Sequence, residues 1–299
     1  MPAMPDVLVL IAAPRAQPLD HSTLATAIEA MRGTGARIES PRWLAPGEAA
    51  ELLFDGAPVA VAAAVAGALA GRAIDVATVP VAGRRKRLLI ADMDSTIIEN
   101  ETLDELAEEA GVGARVAAIT ARSMQGEIDF ADALRERVAM LAGLEVAALG
   151  RTAARMRLSP GAETLVRTMR RAGATTALVS GGFRFCTERV RARVGFDLDQ
   201  ANDLALSHGR LTGKVVEPVL DGAAKLAALD RLAAQRNLTR ADCLAVGDGA
   251  NDLPMITAAG LGVAYRGKPI LAAAASVRLD HADLTALLYL QGYTKAEFA

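Results

Sequence analysis

Two kinds of apolar pattern alternate along the chain, short continuous runs and runs spaced by three or four residues, and their order divides it into successive units. Near the start, Val7-Leu8-Val9-Leu10-Ile11 is continuous and of strand length. Leu24, Ile28 and Met31 then recur at helical spacing between Asp20 and Arg32, and Gly33 ends the pattern. Ala36 to Trp43 and Ala49 to Phe54 read as strands, Ala57 to Ala70 as an Ala-rich buried helix, and Ile74 to Val81 as a last strand. The order βαββαβ over residues 1–82 predicts a small α+β unit of the split βαβ, ferredoxin-like kind.

Leu88 to Ala91 opens the next stretch as four apolar residues buried on both faces, as in the middle of a parallel sheet, and it stops on Asp92 and Asp94. From there to about Arg157 only helical spacing is found. Leu103, Leu106, Ala107 and Ala110 form one face; Val116, Ile119 and Met124 a second; Phe130, Leu134, Val138 and Leu141 a third; Val146, Leu149 and Ala153 a fourth. Gly111, Gly126 and Gly143 sit at the joints. Four short amphipathic helices placed at about 101–157, directly after a strand, predict a cap set over the strand end.

Strand and helix alternate again beyond the cap. Gly161 to Ala172 reads as a helix and Thr175 to Val179 as a strand running into Ser180-Gly181-Gly182-Phe183. Asp203 to Glu217 reads as a hairpin flap about Gly209, and Ala223 to Arg236 as a helix carrying Lys225. A further buried strand from Cys243 runs into Gly247-Asp248-Gly249-Ala250-Asn251-Asp252, with Pro254 placed to open the following helix. This alternation predicts an α/β, Rossmann-like core with a parallel sheet over residues 83–299.

Composition narrows the picture. Aromatic residues are only 3% of a chain that is 52% hydrophobic, so the core must be built from Ala, Leu and Val. A formal charge of −2 leaves no basic footprint for nucleic acid, and the one basic run, Arg84 to Arg87, reads as a solvated linker. No membrane or export segment is expected, because Asp6 precedes the first apolar run and the Ala57 to Ala70 stretch is too short to span a bilayer. The two cysteines and three histidines lack ligand spacing, which argues against zinc or a disulfide framework and for a reducing, cytoplasmic setting. His208 and His281 read as surface residues.

Candidate chemistry gathers at strand ends, where ligands sit in open α/β sheets. Asp92 and Asp94 straddle one residue, which lets one side chain and one backbone carbonyl reach the same hard cation while the second side chain stays free. A lone pair of this kind is more often a solvated Asp-rich turn. Ser180 followed by two glycines leaves N–H groups free to approach an anion, though such turns are common. Lys225 lies in the first turns of a helix, where the macrodipole favours anions, so it needs an anion nearby or else snorkels to the surface. A second acidic strand end at Asp248, beside the first, would complete a Mg²⁺ site of hard oxygen ligands.

Taken in order, DMDST at 92–96, VSGG at 179–182, Lys225 and GDGANDLPM at 247–255 resemble the four motifs of the haloacid dehalogenase superfamily. IIENETLDELAEEAG after the first motif, MQGEIDFADALRERV at 124–138 and SGGF are similar to the phosphoserine phosphatase family within it. The resemblance covers about 85–299. Residues 1–82 resemble an ACT domain in element order alone; a docking or dimerisation unit, and hence a homodimer, is the other reading.

The resemblance implies roles residue by residue. Asp92 would be the nucleophile forming an aspartyl-phosphate, and Asp94 the general acid and then base. Ser180, the Gly181 backbone and Lys225 would hold the phosphoryl group. Mg²⁺ would be bound by Asp92, the Asp94 carbonyl and Asp248, with Asn251 and Asp252 orienting the shell. Glu101, Phe130, Arg137 and Asn251 would meet the substrate, Glu101 taking its ammonium and Arg137 its carboxylate. The implied activity is hydrolysis of O-phospho-L-serine to L-serine and inorganic phosphate, the final step of L-serine biosynthesis. A related amino-acid phosphatase or phosphotransferase, or a serine-responsive regulatory protein with a vestigial core, are the alternatives. Helix geometry separately distinguishes two arginines: at roughly 100° per residue Arg137 shares the inward face of Phe130 and Arg135 does not. A guanidinium on that face needs a partner, a substrate carboxylate or a cap glutamate. No catalytic residue type precedes Asp92, so the first 82 residues are expected to be dispensable for the chemistry.

Overall fold

The structure, a computed structural model, describes residues 4–13, 17–124 and 127–299, so the joint expected at Gly126 lies outside the described residues. The first elements are β1 (Asp6–Ala12), α1 (His21–Gly33), β2 (Arg37–Ile38), β3 (Arg42–Ala45), β4 (Ala49–Asp55), α2 (Pro58–Ala68) and β5 (Ile74–Pro80). The strand expected over Ala36 to Trp43 is thus two short strands, both paired with β4. The sheet runs β2-β4-β1-β5 and is antiparallel throughout, the arrangement expected of a split βαβ unit.

The continuous apolar run in β1 has a reason that the pattern alone does not give. Leu8 and Leu10 pack under α1 and α2, whereas Val7, Val9 and Ile11 join the core of the second sheet together with Leu287, Leu288 and Tyr289. Both faces of β1 are therefore covered. The helix read as buried is not: α2 buries Val61 and Val65 alone, while Val59 is 83% exposed. Alanine is a strong helix former that tolerates water, so an Ala-rich stretch can look apolar and still lie on a surface.

The second sheet is built from β6 (Leu88–Ala91) and, beyond the cap, from β7 (Thr175–Phe183), β8 (Leu198–Ser207), β9 (Arg210–Val216), β10 (Cys243–Gly247), β11 (Leu261–Tyr265) and β12 (Val277–Leu279). Its order is β12-β11-β10-β6-β7-β8-β9, parallel except for the β8–β9 hairpin. All four residues of β6 are fully buried, as expected of a central strand. The cap comprises α3 (Thr102–Glu109), α4 (Gly113–Met124), α5 (Phe130–Ala139) and α6 (Val146–Arg155). Leu103, Leu106, Val116, Leu134, Val138 and Leu149 form its core, but Val146, expected inward, is 41% exposed at the first position of α6. Its connecting strands run side by side: Glu99 N–H donates to Arg157 O at 2.9 Å, and Arg157 N–H to Asn100 Oδ1 at 2.7 Å.

Helices α7 (Ala162–Arg171), α8 (Arg184–Val194), α9 (Gly222–Gln235), α10 (Leu253–Ala258), α11 (Pro269–Ala274) and α12 (Ala286–Leu290) complete the chain. The basic run is solvated only in part: Arg85 and Arg87 are exposed, but Arg84 is not. The Arg84 side chain is only 11% exposed; its guanidinium pairs with Glu51 of β4 at 2.7 Å and donates to the carbonyls of Leu290 and Tyr289, where a cation suits the end of α12. Asp75 of β5 is buried and accepts from the backbone N–H groups of Asp280, His281 and Ala282. Among the described residues no helix is long and apolar enough to cross a membrane.

Candidate active site

Parallel pairing of β6 with β10, in the register Ala91 to Val246, brings the two acidic strand ends side by side. Asp92 follows β6 directly, and its N–H continues the ladder to Val246 O at 3.0 Å. One oxygen each of Asp92, Asp248 and Asp252 lies within 4.8 Å of the others, and all three residues are buried. Lys225 is fully buried, so the snorkelling alternative is excluded; its ammonium reaches Asp252 Oδ1 at 2.6 Å and Asp92 Oδ1 at 2.8 Å. Burial alone would lower its pKa, but the two carboxylates outweigh that and raise it, so the ammonium persists. The anion that the start of a helix demands is thus supplied by two other elements.

Charge is not balanced here. Burial first, and the nearby Asp92 second, push Asp248 up to about 6. Lys268, in the loop after β11, reaches Asp248 Oδ2 at 3.2 Å and is half exposed at the mouth of the site. Asp252 accepts from Lys225 and also from Gly249 N–H at 3.0 Å, which uses both its oxygens. Asp92 Oδ2 and Asp248 Oδ1 accept no hydrogen bond among the described residues. Buried carboxylates with free oxygens, joined by no His or Cys among the described residues, fit a hard divalent cation.

Asp94 occupies a sharp bend after β6, where Ser95 takes a left-handed backbone at φ 54°. Both Asp94 oxygens are held by Thr102 at the start of α3, one by its N–H at 3.2 Å and one by its hydroxyl at 3.1 Å. Burial, then the charges of Glu101 and Asp92, hold its carboxyl well above the ordinary range against those two bonds. Gly182 allows the approach, since a Cβ there would stand 2.6 Å from Asp94 Oδ2.

The Ser-Gly-Gly segment is not a turn. β7 continues through it to Phe183, with a register break in which β7 advances from Val179 to Phe183 while β8 advances only from Gln200 to Asn202. Inside that bulge Gly182 N–H donates to Ser180 Oγ at 2.9 Å. A Cβ on Gly181 would lie 2.7 Å from Phe130 Cζ and 3.4 Å from Asn251 Nδ2, so the cap phenyl ring and the amide of the 247–252 turn both close on this glycine.

Over the site, Arg137 lies inward on α5 and forms no ion pair among the described residues; its Nε donates only to Ala133 O at 3.2 Å. Burial lowers its pKa, against the charges of Asp104, Glu101 and Asp94. Arg135 instead faces out and pairs with Asp132 and Glu217. The cap-glutamate alternative for Arg137 is therefore not realised. Glu101 is exposed, accepts from Ser95 Oγ at 2.8 Å and stands 3.9 Å from Lys268 Nζ. Sequence reasoning missed Thr102 and Lys268. Lys268 follows a buried strand at the same sheet edge as Asp92 and Asp248, a signal that was available; Thr102 carried none beyond its place before a helix.

The model of the haloacid dehalogenase-like hydrolases matches residues 89–257. A phosphoserine phosphatase of Streptomyces coelicolor is 42% identical over 240 residues, covering 80% of this chain and 58% of the relative. The chain thus spans little more than half the length of that relative. A haloacid dehalogenase family hydrolase from Salmonella enterica superposes with a TM-score of 0.83 at 29% identity, over 95% of this chain and 97% of the other. A phospho-aspartyl intermediate analogue of phosphoserine phosphatase superposes with a TM-score of 0.65 at 38% identity, over 69% of this chain and 98% of that one.

Proposed function

The chain belongs to the haloacid dehalogenase-like hydrolases, and within that family we propose that it is a Mg²⁺-dependent phosphatase releasing L-serine and inorganic phosphate from O-phospho-L-serine. The observation that carries the substrate is Arg137, a half-buried guanidinium with no ion-pair partner among the described residues, held over the acidic strand ends. A bidentate carboxylate is the ligand its geometry suits. Glu101 would receive the substrate ammonium, Phe130 would cover the bound molecule and Asn251 would contact it beside Gly181.

Asp92 attacks phosphorus with its carboxylate, which Lys225 and Met93 N–H fix in place through Oδ1. Asp94, whose proton affinity burial and the neighbouring charges raise, gives a proton to the departing serine oxygen and then takes one from the water that hydrolyses the aspartyl-phosphate. Ser180, the Gly181 backbone and Lys225 hold the transferring oxygens, where positioning and electrostatics supply most of the rate. Asp92, Asp248 and the Asp94 carbonyl would bind Mg²⁺, with Asp252 and Asn251 orienting the shell. When bound, the cation would neutralise charge on the phosphoryl oxygens and offset the excess of carboxylates.

The test is phosphate release from a panel of phosphorylated small molecules with and without Mg²⁺. Phosphoserine is expected to be turned over fastest and only with the cation. Faster turnover of a substrate that lacks a carboxylate would overturn the substrate assignment.

A further inference from the structure

One buried side chain ties together the two elements assigned to the phosphoryl group. Asn202 lies on β8, 2% exposed, in the space between the Ser180–Gly182 bulge and the segment leading into α9. Its Nδ2 donates to Gly181 O at 2.8 Å and reaches Leu220 O at 3.5 Å, and its Oδ1 accepts from Leu220 N–H at 2.6 Å. The amide orientation follows from its partners, because two carbonyls need a donor and one N–H needs an acceptor.

On the bulge side the consequence passes through a rigid unit. The peptide joining Gly181 to Gly182 is planar, so fixing its carbonyl fixes the opposite N–H. That N–H donates to Ser180 Oγ, which as an acceptor keeps its own proton free to donate elsewhere. The chain from Asn202 through this peptide to Ser180 is aligned head to tail, and such chains polarise each member. On the other side, Leu220 is held at both its N–H and its carbonyl, one residue before Asp221, the N-cap of α9, whose side chain accepts from Ala224 N–H at 2.9 Å. Lys225 follows one turn into that helix.

We propose that Asn202 is a positioning residue for phosphoryl transfer, holding the Ser180 hydroxyl and the Lys225 ammonium at a fixed separation around the transferring oxygens. The proposal rests on the phosphatase reading above. The partners of Asn202 are backbone groups of Gly181 and Leu220, and the sequence motifs give it no role. It requires a side chain that donates and accepts at once. A carboxylate of the same size keeps the bond from Leu220 N–H but sets an oxygen against Gly181 O.

Full-length Asn202→Asp and Asn202→Ser, compared with the native chain, test this. The readouts are thermal midpoint, competitive inhibition by inorganic phosphate, and kcat and KM for phosphoserine and for an aryl phosphate. Phosphate affinity and kcat are expected to fall by about 10- to 100-fold in Asn202→Asp, the range of outer-shell partners. Asn202→Ser, neutral and with one hydroxyl, should fall between, and it decides the matter if the buried carboxylate prevents folding. Both substrates should lose equally, because both present the same phosphoryl oxygens. Folded variants with native phosphate affinity and kcat would overturn the proposal. So would a loss confined to phosphoserine, or one that vanishes when rates are divided by the folded fraction. A native chain inactive on every phosphate ester would refute the phosphatase reading instead.

Discussion

Arg137 and Asp94 are single residues whose surroundings make opposite demands. Arg137 forms no ion pair among the described residues, so Arg137→Ala should cost roughly 2–5 kcal/mol in kcat/KM for phosphoserine, the scale of an unpaired buried charge. An aryl phosphate without a carboxylate should be nearly indifferent, and Arg135→Ala, which removes only exposed pairs, should do little to either substrate. Equal losses for Arg137→Ala on both substrates would assign it to the cap structure. Asp94 is a carboxyl whose pKa burial and like charge raise well above the ordinary range. Protonation of the leaving group matters for a serine alkoxide and hardly for a phenolate. Asp94→Asn should therefore slow the first step about 10²- to 10⁴-fold with phosphoserine and spare it with the aryl ester. The second step still lacks its base, so rapid mixing with the aryl ester should show a burst of phenolate followed by slow turnover. The same loss on both substrates without a burst would remove Asp94 from the acid/base role.

Between elements, contact of cap with core depends on the absence of a side chain. Phe130 at the start of α5 lies against Gly181, and a methyl group there would stand 2.7 Å from the ring. The far end of a phenyl ring can yield, but only by turning aside or by lifting α5. Gly181→Ala is expected to raise KM for phosphoserine, and Phe130→Leu in the same chain should recover part of the loss. The double-mutant coupling should fall in the range of about 0.5–3 kcal/mol found for residues in contact. Strictly additive losses would show that Gly181 acts through its backbone alone.

For the whole molecule, the first 82 residues are not a bystander. Val7, Val9 and Ile11 share a core with Leu287, Leu288 and Tyr289, Arg84 bridges Glu51 to the end of α12, and Asp75 holds three backbone N–H groups of the segment before it. A chain starting at Gly83 keeps every residue assigned to chemistry and exposes that apolar face. Each uncovered aliphatic side chain forfeits roughly 1.5–3 kcal/mol. The truncated chain is expected to melt well below the full chain or to aggregate, while any folded fraction keeps its kcat per molecule. Equal melting temperatures would mean that the docked face contributes no stability. A folded but inactive truncation would show that the first unit completes the site.

By itself the sequence determined the elements that carry chemistry. Apolar runs ending on Asp92 and Asp248 made two neighbouring strand ends, and spacing alone placed Arg137 rather than Arg135 inward, because strand burial and helical period are local properties of the chain. Packing against distant segments decided the rest. Ala57 to Ala70 looked buried because alanine is apolar, but which helix faces meet another layer depends on the other layer. Arg84, within the basic run, looked solvated because its partners, Glu51 and the carbonyls at the end of α12, are far away in sequence. The full burial of Lys225, the bulge that bends Ser180 to Gly182 and the grip of Thr102 on Asp94 likewise join residues from separate elements. Such contacts leave no period along the chain, and only the folded structure brings them into reach.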